Sequence, residues 1–253
     1  MVSKSQIKFI KSLNLQKFRQ KYDKFTAEGE KTVTEFIKHQ KYPLEQVLCD
    51  SSTLFDYFSR LVPAEKLTLV TRSEMEQISM FKTPSHIMAV FEKKEPDWDV
   101  SDIVGQKTLY LDDIQDPGNL GTMIRIADWF GLKNVIRSSG SADFYHPKVI
   151  QSTMGSLCNV RLKTMALSEI AGLSVKIPVI GALLEGESLS QNHQLPASGI
   201  LVIGNEGHGI KAENIGFITH PFRISGHQNK IAESLNAASA CSIFCFEWST
   251  VGQ

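Results

Sequence analysis

From residue 108 onward, short apolar runs alternate with helical segments, and this regularity constrains the chain more than any other feature. The runs 108–111, 134–137, 179–183, 200–204 and 221–224 have strand character. Segments 119–130, 146–154, 167–171 and 212–218 have helical character and lie between or after them. Such alternation demands a mostly parallel sheet with helices on both faces. In sheets of that kind, ligands bind in the crevice beyond the carboxyl ends of the strands. A last helix is expected over 237–248, where Ala238, Cys241, Ile243, Phe244, Cys245, Phe246 and Trp248 leave almost no polar face. A helix apolar all round must be buried on every side, and in so small a domain a subunit interface is the natural place for that.

The first hundred residues read as a smaller α/β unit. Residues 5–24 carry Ile7, Ile10, Leu13 (or Asn14) and Phe18 on one side of a helix and lysines on the other. A second helix is expected over 26–37 and a short strand over 46–49. Asp50-Ser51-Ser52 signals a turn and helix start before 54–61. Strands at 67–71 and 87–91 flank a helix at 73–80. The charged, aperiodic stretch 92–102 with Pro96 reads as a linker, which divides the chain into domains 1–95 and 103–253.

The chain has 253 residues and a formal net charge of +0, but the charge is uneven. Residues 1–25 hold seven Lys/Arg (Lys4, Lys8, Lys11, Lys17, Arg19, Lys21, Lys24) against one acid, Asp23. Such a segment fits a polyanionic partner, or it is a solubilising helix face; charge alone leaves both open. No apolar run reaches the roughly 20 residues of a membrane span, and no signal-peptide core opens the chain, so a cytoplasmic protein is expected. Cys49, Cys158, Cys241 and Cys245 are scattered. They offer no disulfide framework; Cys241 and Cys245 would share one face of a helix, as a metal or redox pair or, with no CxxC or nearby His to complete a site, as two small buried thiols.

Three polar segments fall at expected strand ends. Residues 111–125, LDDIQDPGNLGTMIR, run from a strand through a Pro-Gly turn into a helix. There Asn119 is placed to cap the helix, and Arg125 could pair with Asp128 at i+3. Residues 201–210, LVIGNEGHGI, form a glycine loop with Glu206 inside it. Its G-x-x-G-x-G spacing matches neither the dinucleotide fingerprint nor the P-loop, which disfavours a generic nucleotide-dependent enzyme. Residues 233–236, Glu-Ser-Leu-Asn, open the final helix, and Ser234 or Asn236 could cap it.

In this order and at these separations, DPGNLGTMIRIADWFG, LVIGNEGHGI and SLNAASACSI following FRISG resemble the SpoU/TrmH group of knotted (SPOUT) RNA methyltransferases. FTAEGEKTVTEFIK followed by LEQVLCD is similar to the small substrate-binding domain that precedes the catalytic domain in many members, a domain related to RNA-binding ribosomal proteins. The resemblance implies a C-terminal knotted, mostly parallel α/β methyltransferase domain after a small α/β substrate domain. It also implies S-adenosylmethionine as cofactor, a ribose 2′-hydroxyl as acceptor, and a homodimer without a metal. Ribosomal RNA is the expected substrate, ahead of transfer RNA. The catalytic group would be Asn119, Arg125, Glu206, Ser234 and Asn236. Leu183, Leu184, Gly186, Gly204, Asn205, Gly209, Phe222, Ile224 and Leu235 would line the cofactor site, although Phe-Arg-Ile replaces the usual Ile-Pro start at 222. The competing reading is an RNA-binding homologue that has lost its chemistry.

Overall fold

The computed structural model describes residues 2–94, 98–173, 175–189 and 195–251; Pro96 of the expected linker lies outside them. Its packing divides the chain into two units, Met1–Lys94 with Asp143–Cys158, and Glu95–Ala142 with Asn159–Gln253. A single cut in the sequence therefore does not separate them.

The first unit begins with two helices where one was expected over 5–24. Helix α1 (Lys4–Ser12) is capped by Ser3, and Gln6 returns a hydrogen bond to the cap. Helix α2 (Gln16–Tyr22) stops at Asp23, whose φ of 50° is left-handed. Strand β1 (Lys24–Glu28) follows, which corrects the helix expected from residue 26. Its pairing with β4 (Ile87–Glu92), antiparallel from Lys24↔Glu92 to Glu28↔Met88, decides the local conformation. Gly29, at φ 99°, turns the chain into α3 (Glu30–His39). Next come β2 (Leu44–Cys49), α4 (Ser52–Phe58, capped by Ser51), β3 (Leu67–Leu69) and α5 (Arg72–Ile78, capped by Thr71). The sheet order is β1-β4-β2-β3.

The second unit is built on a six-stranded sheet. Its first elements are β5 (Lys107–Leu111), α6 (Pro117–Trp129) and β6 (Asn134–Arg137). The chain then contributes α7 (Pro147–Thr153) to the first unit and returns as β7 (Arg161–Thr164). This edge strand escaped the sequence reading because Arg-Leu-Lys-Thr offers one apolar residue. There follow α8 (Leu167–Ala171), β8 (Val179–Ser188), β9 (Gly199–Ile203), α9 (Ala212–Ile215), β10 (His220–Arg223) and α10 (Ala237–Ser249). The strand order is β10-β8-β9-β5-β6-β7, with every pairing parallel. Strand β9, Gly-Ile-Leu-Val-Ile, is buried throughout, as a parallel strand covered on both faces must be. Among the described residues no helix is long and apolar enough to cross a membrane.

Segment 143–158 is tied into the first unit by a buried ion pair. The Arg19 guanidinium, 1% exposed, donates through Nε to Asp143 Oδ2 at 2.8 Å and through Nη1 to the carbonyls of Leu13 and Asn14. Tyr145 joins the rings of Phe25 and Tyr42, with centroids 5.0 and 6.0 Å away.

Helix α10 packs on α6 and buries Ala237, Ala238, Cys241, Phe244, Cys245 and Trp248. It is not enclosed on every side in the single chain, as expected above. Ile243 and Phe246 face solvent, and Trp129 of α6 is 81% exposed. The Cys241 and Cys245 sulfurs are buried 3.9 Å apart. The contact with Cys245 and burial push the Cys241 thiol well above its ordinary range, which suits inert packing groups.

Candidate active site

Three carboxyl-end segments of the parallel sheet meet on one carboxylate. The chain leaves β5 through Asp112 and Asp113 and enters α6 with Asp116 as the cap, its carboxylate accepting from the Asn119 amide at 2.8 Å. Pro117 takes the first helical position, where its missing N–H is harmless. Asn119 is therefore not the cap, and its side chain is left for other work. Its Nδ2 donates to Glu206 Oε1 at 2.7 Å.

Glu206 lies in the loop after β9, which folds back so that Asn205 and Gly209 exchange backbone hydrogen bonds at 3.0 and 2.9 Å. The return is tight. A Cβ on Gly204 would come within 2.2 Å of the Gly209 carbonyl carbon and 2.3 Å of the Ile210 nitrogen. Asn236 caps α10, its Oδ1 accepting from the Ala238 and Ser239 amides, and its Nδ2 donates to the same Glu206 Oε1. The Ala237 amide adds a longer contact to that oxygen at 3.3 Å. One carboxylate oxygen at a helix N-terminus thus gathers donors from α6 and α10, a charge-assisted arrangement favoured by the helix dipole.

The other two expected catalytic residues stand apart from this cluster. Ser234 is exposed, two residues before the cap, so Asn236 alone fulfils the capping role. Arg125 is exposed on α6, on the stripe that also carries Thr122 and Trp129. It makes no ion pair among the described residues, and Asp128, its suggested partner, accepts from Asn159 instead.

Of the residues expected to hold the cofactor, Leu183, Leu184 and Gly186 lie within β8, Gly204, Asn205 and Gly209 in the loop after β9, Phe222 in β10 with Ile224 just after it, and Leu235 just before the Asn236 cap of α10. The β8–β10 register jumps from Pro221↔Gly181 to Phe222↔Glu187, so residues 182–186 are skipped by the ladder. Leu183, Leu184 and Gly186 sit in that excursion, with Leu184 74% exposed. Arg223 Nε donates to the Gly186 carbonyl at 3.1 Å. Phe222 is buried and its backbone is registered with Glu187 in the ladder, while Leu235 is half exposed. Ile224 follows β10, where Ser188 and Ser225 hydroxyls meet at 2.8 Å. Backbone groups outside the ladder beside exposed leucines fit a molecule with a flat apolar ring and a polar tail.

Asp112 and Asp113, two acids outside the expected site, hold the glycine loop in place. Asp112, fully buried, accepts through Oδ2 from the Lys211 amide at 2.8 Å and from Asn214 Nδ2 at 2.9 Å. Asp113 accepts at its carbonyl from Asn205 Nδ2 at 2.8 Å, and its carboxylate meets His208 Nε2 at 3.1 Å. Two acids directly after an apolar strand were the available signal, since carboxylates in such a place need partners.

Comparison with known proteins gives the class. Residues 106–246 match the SpoU rRNA Methylase family, and residues 4–89 match the MRM3-like substrate binding domain. The chain belongs to the SpoU rRNA methylase family. It is 30% identical over 244 residues to the 23S rRNA (guanosine(2553)-2′-O)-methyltransferase RlmP of Bacillus subtilis, covering 95% of this chain and 94% of that one. A Porphyromonas gingivalis structure assigned to the TrmH family of RNA methyltransferases superposes with a TM-score of 0.82 at 37% identity, covering 98% of each chain. The AdoMet-bound rRNA methyltransferase of Sinorhizobium meliloti shares the fold, with a TM-score of 0.83 at 24% identity over 98% and 96% of the two chains.

Proposed function

We propose that this chain is an S-adenosylmethionine-dependent RNA methyltransferase that methylates a ribose 2′-hydroxyl, in ribosomal RNA ahead of transfer RNA. The observation that carries the reading is the convergence of Asn119, Glu206 and Asn236 in a member of this family. The relative named RlmP, with a 2′-O target in 23S rRNA, supports the substrate class.

When bound, the cofactor supplies an electrophilic methyl group. The chain's task is to orient a ribose hydroxyl and accommodate its lost proton, because a neutral hydroxyl is a weak nucleophile. Glu206, held by two side-chain amides, is the carboxylate nearest the converging segments. On this reading the Arg125 guanidinium, which has no ion pair among the described residues, binds the phosphate beside the target ribose and stabilises developing negative charge. Ser234 completes the polar set by contacting RNA or cofactor. Leu183, Leu184, Gly186, Gly204, Asn205, Gly209, Phe222, Ile224 and Leu235 hold the cofactor, and the knotted chain path belongs to the same reading.

The exposed apolar side chains of Trp129, Ile243 and Phe246 on two adjacent helices support a homodimer in which a second copy covers them. The lysines of α1 and α2, of which Lys4, Lys8, Lys11, Lys17 and Lys21 are exposed, support an RNA-facing surface on the first unit. We place the protein in the cytoplasm with its RNA.

Incubation with labelled S-adenosylmethionine and ribosomal RNA, followed by mapping of 2′-O-methyl sites, tests the proposal. Label at one ribose is expected with the intact chain and none with Arg125→Ala. Cofactor binding without label on ribosomal or transfer RNA would favour the inactive homologue.

A further inference from the structure

Asp113 has a backbone conformation that nothing in helix termination explains. Four non-glycine residues among those described have positive φ: Asp23, Gln40, Asp113 and Met154. Asp23, Gln40 and Met154 end α2, α3 and α7, where a left-handed residue is ordinary. Asp113, at φ 59°, lies instead between β5 and α6, and strain away from a helix end points to a local task. Its conformation is held on both sides, with the Asp113 amide donating to Ser138 Oγ at 2.8 Å and the Ile114 amide donating to Ser141 Oγ at 2.9 Å.

We propose that Asp113 is a positioning residue that grips the glycine loop on both sides of Glu206 and so sets that carboxylate against Asn119 and Asn236. The inference rests on the methyl-transfer reading of this loop. Before Glu206, the Asp113 carbonyl accepts from Asn205 Nδ2. After it, Asp113 Oδ2 meets His208 Nε2, and Oδ1 lies 3.4 Å from Lys211 Nζ. The carboxylate is only 9% exposed, whereas residues 206–209 are all exposed and two of them are glycine. A loop of that kind orders only if something fixed holds it. Gly140 makes room for the grip, because a Cβ there would stand 2.0 Å from Asp113 Oδ1. Asp112 anchors residues 211 and 214 further along, so the part specific to Asp113 is the stretch 205–208. Asp113 reaches the reaction through Glu206 and is not itself a catalytic residue.

Asp113→Gly separates the side chain from the backbone, since glycine takes a positive φ freely and keeps the carbonyl. Measured on the full chain, amide exchange across 204–210 should quicken about tenfold or more while the rest of the second unit is unchanged. On substrate RNA, kcat should fall about tenfold with KM for RNA within about threefold. Asp113→Asn, which keeps an acceptor for His208, should restore most of the protection and turnover. His208→Ala should loosen the same amides from the loop side. Wild-type exchange across 204–210 in both Asp113→Gly and His208→Ala would overturn the inference, as would Asp113→Asn as loose as Asp113→Gly. Exchange needs no methyl transfer, so a loosened loop in a chain whose wild type methylates nothing supports the grip and refutes only the enzymatic reading.

Discussion

Gly204→Ala adds one methyl group where the chain has no room for it. The new Cβ would sit 2.2 Å from the Gly209 carbonyl carbon, 2.3 Å from the Ile210 nitrogen and 2.5 Å from the Gly209 oxygen, against an ordinary contact that begins at 3.4 Å. All three atoms are backbone, so no side chain can swing aside, and the returning strand must move by more than an ångström. Gly209 is bonded to Asn205 in both directions, and Glu206 lies between them, so the displacement passes directly to the carboxylate. Overpacking of this kind costs about 1–3 kcal/mol of stability, which a domain of this size survives. The cost in turnover is larger, because a shift of about 1 Å in a reacting group lowers rates on the order of 10²-fold. The assay is single-turnover methylation of the mapped RNA, paired with thermal unfolding of the same preparation. Loss of turnover by about two orders of magnitude in a folded protein is expected. A Gly204→Ala variant within about threefold of wild type would refute the reasoning that this return of the chain fixes Glu206.

Three further outcomes are open to measurement. Arg19→Met leaves Asp143 and two carbonyls without their donor, and should destabilise by about 3–5 kcal/mol in denaturant titration. Asp143→Leu added to it should recover part of the loss, and simple additivity of the two changes would remove the pair as the cause. Burial, and then the Arg19 charge, hold the His146 imidazole below its ordinary 6.5. A lowered histidine value means that the unfolded chain takes the proton first. Stability should therefore decline as pH falls from about 6.5 through the lowered folded value; His146→Asn should flatten that slope, and an unchanged slope in the variant would assign it to another group. Lys17 and Lys21 are exposed, their ammonium groups 5.0 and 5.3 Å from the Phe18 and Tyr22 ring centroids. Replacing both with Ala should lower the slope of log affinity for RNA against log salt by about 1–2, whereas an identical slope would place the RNA elsewhere.

The sequence carried the parallel sheet because its strands are short, apolar and regularly spaced. β6 falls on 134–137 and α8 on 167–171 as expected. β1 is not legible locally because Phe-Thr-Ala-Glu suits a helix start equally well, and only pairing with β4, about sixty residues or more away, makes it a strand. Asn119, Glu206 and Asn236 stood out as polar residues beside turns, and the structure joins them. What could not be read was how they are held. The left-handed Asp113 and the room left by Gly140 depend on segments that approach only in three dimensions. Likewise, the composition of α10 announced burial on every side, but only packing against α6 shows which side remains open.

The Arg19–Asp143 pair joins residues 124 positions apart, and this bears on how the chain folds as it is made. The first unit is not finished when residue 94 leaves the ribosome, because Tyr145 and α7 have yet to arrive. By that time β5, α6 and β6 have been synthesised, without the β9 and β8 strands that complete their sheet. Each unit must wait with an open side while part of the other is produced, and long waits of this kind favour misassembly. A fragment ending at residue 94 should accordingly be a poor folder, and one ending at 158 should gain the first unit's missing helix at the expense of carrying an unfinished second sheet.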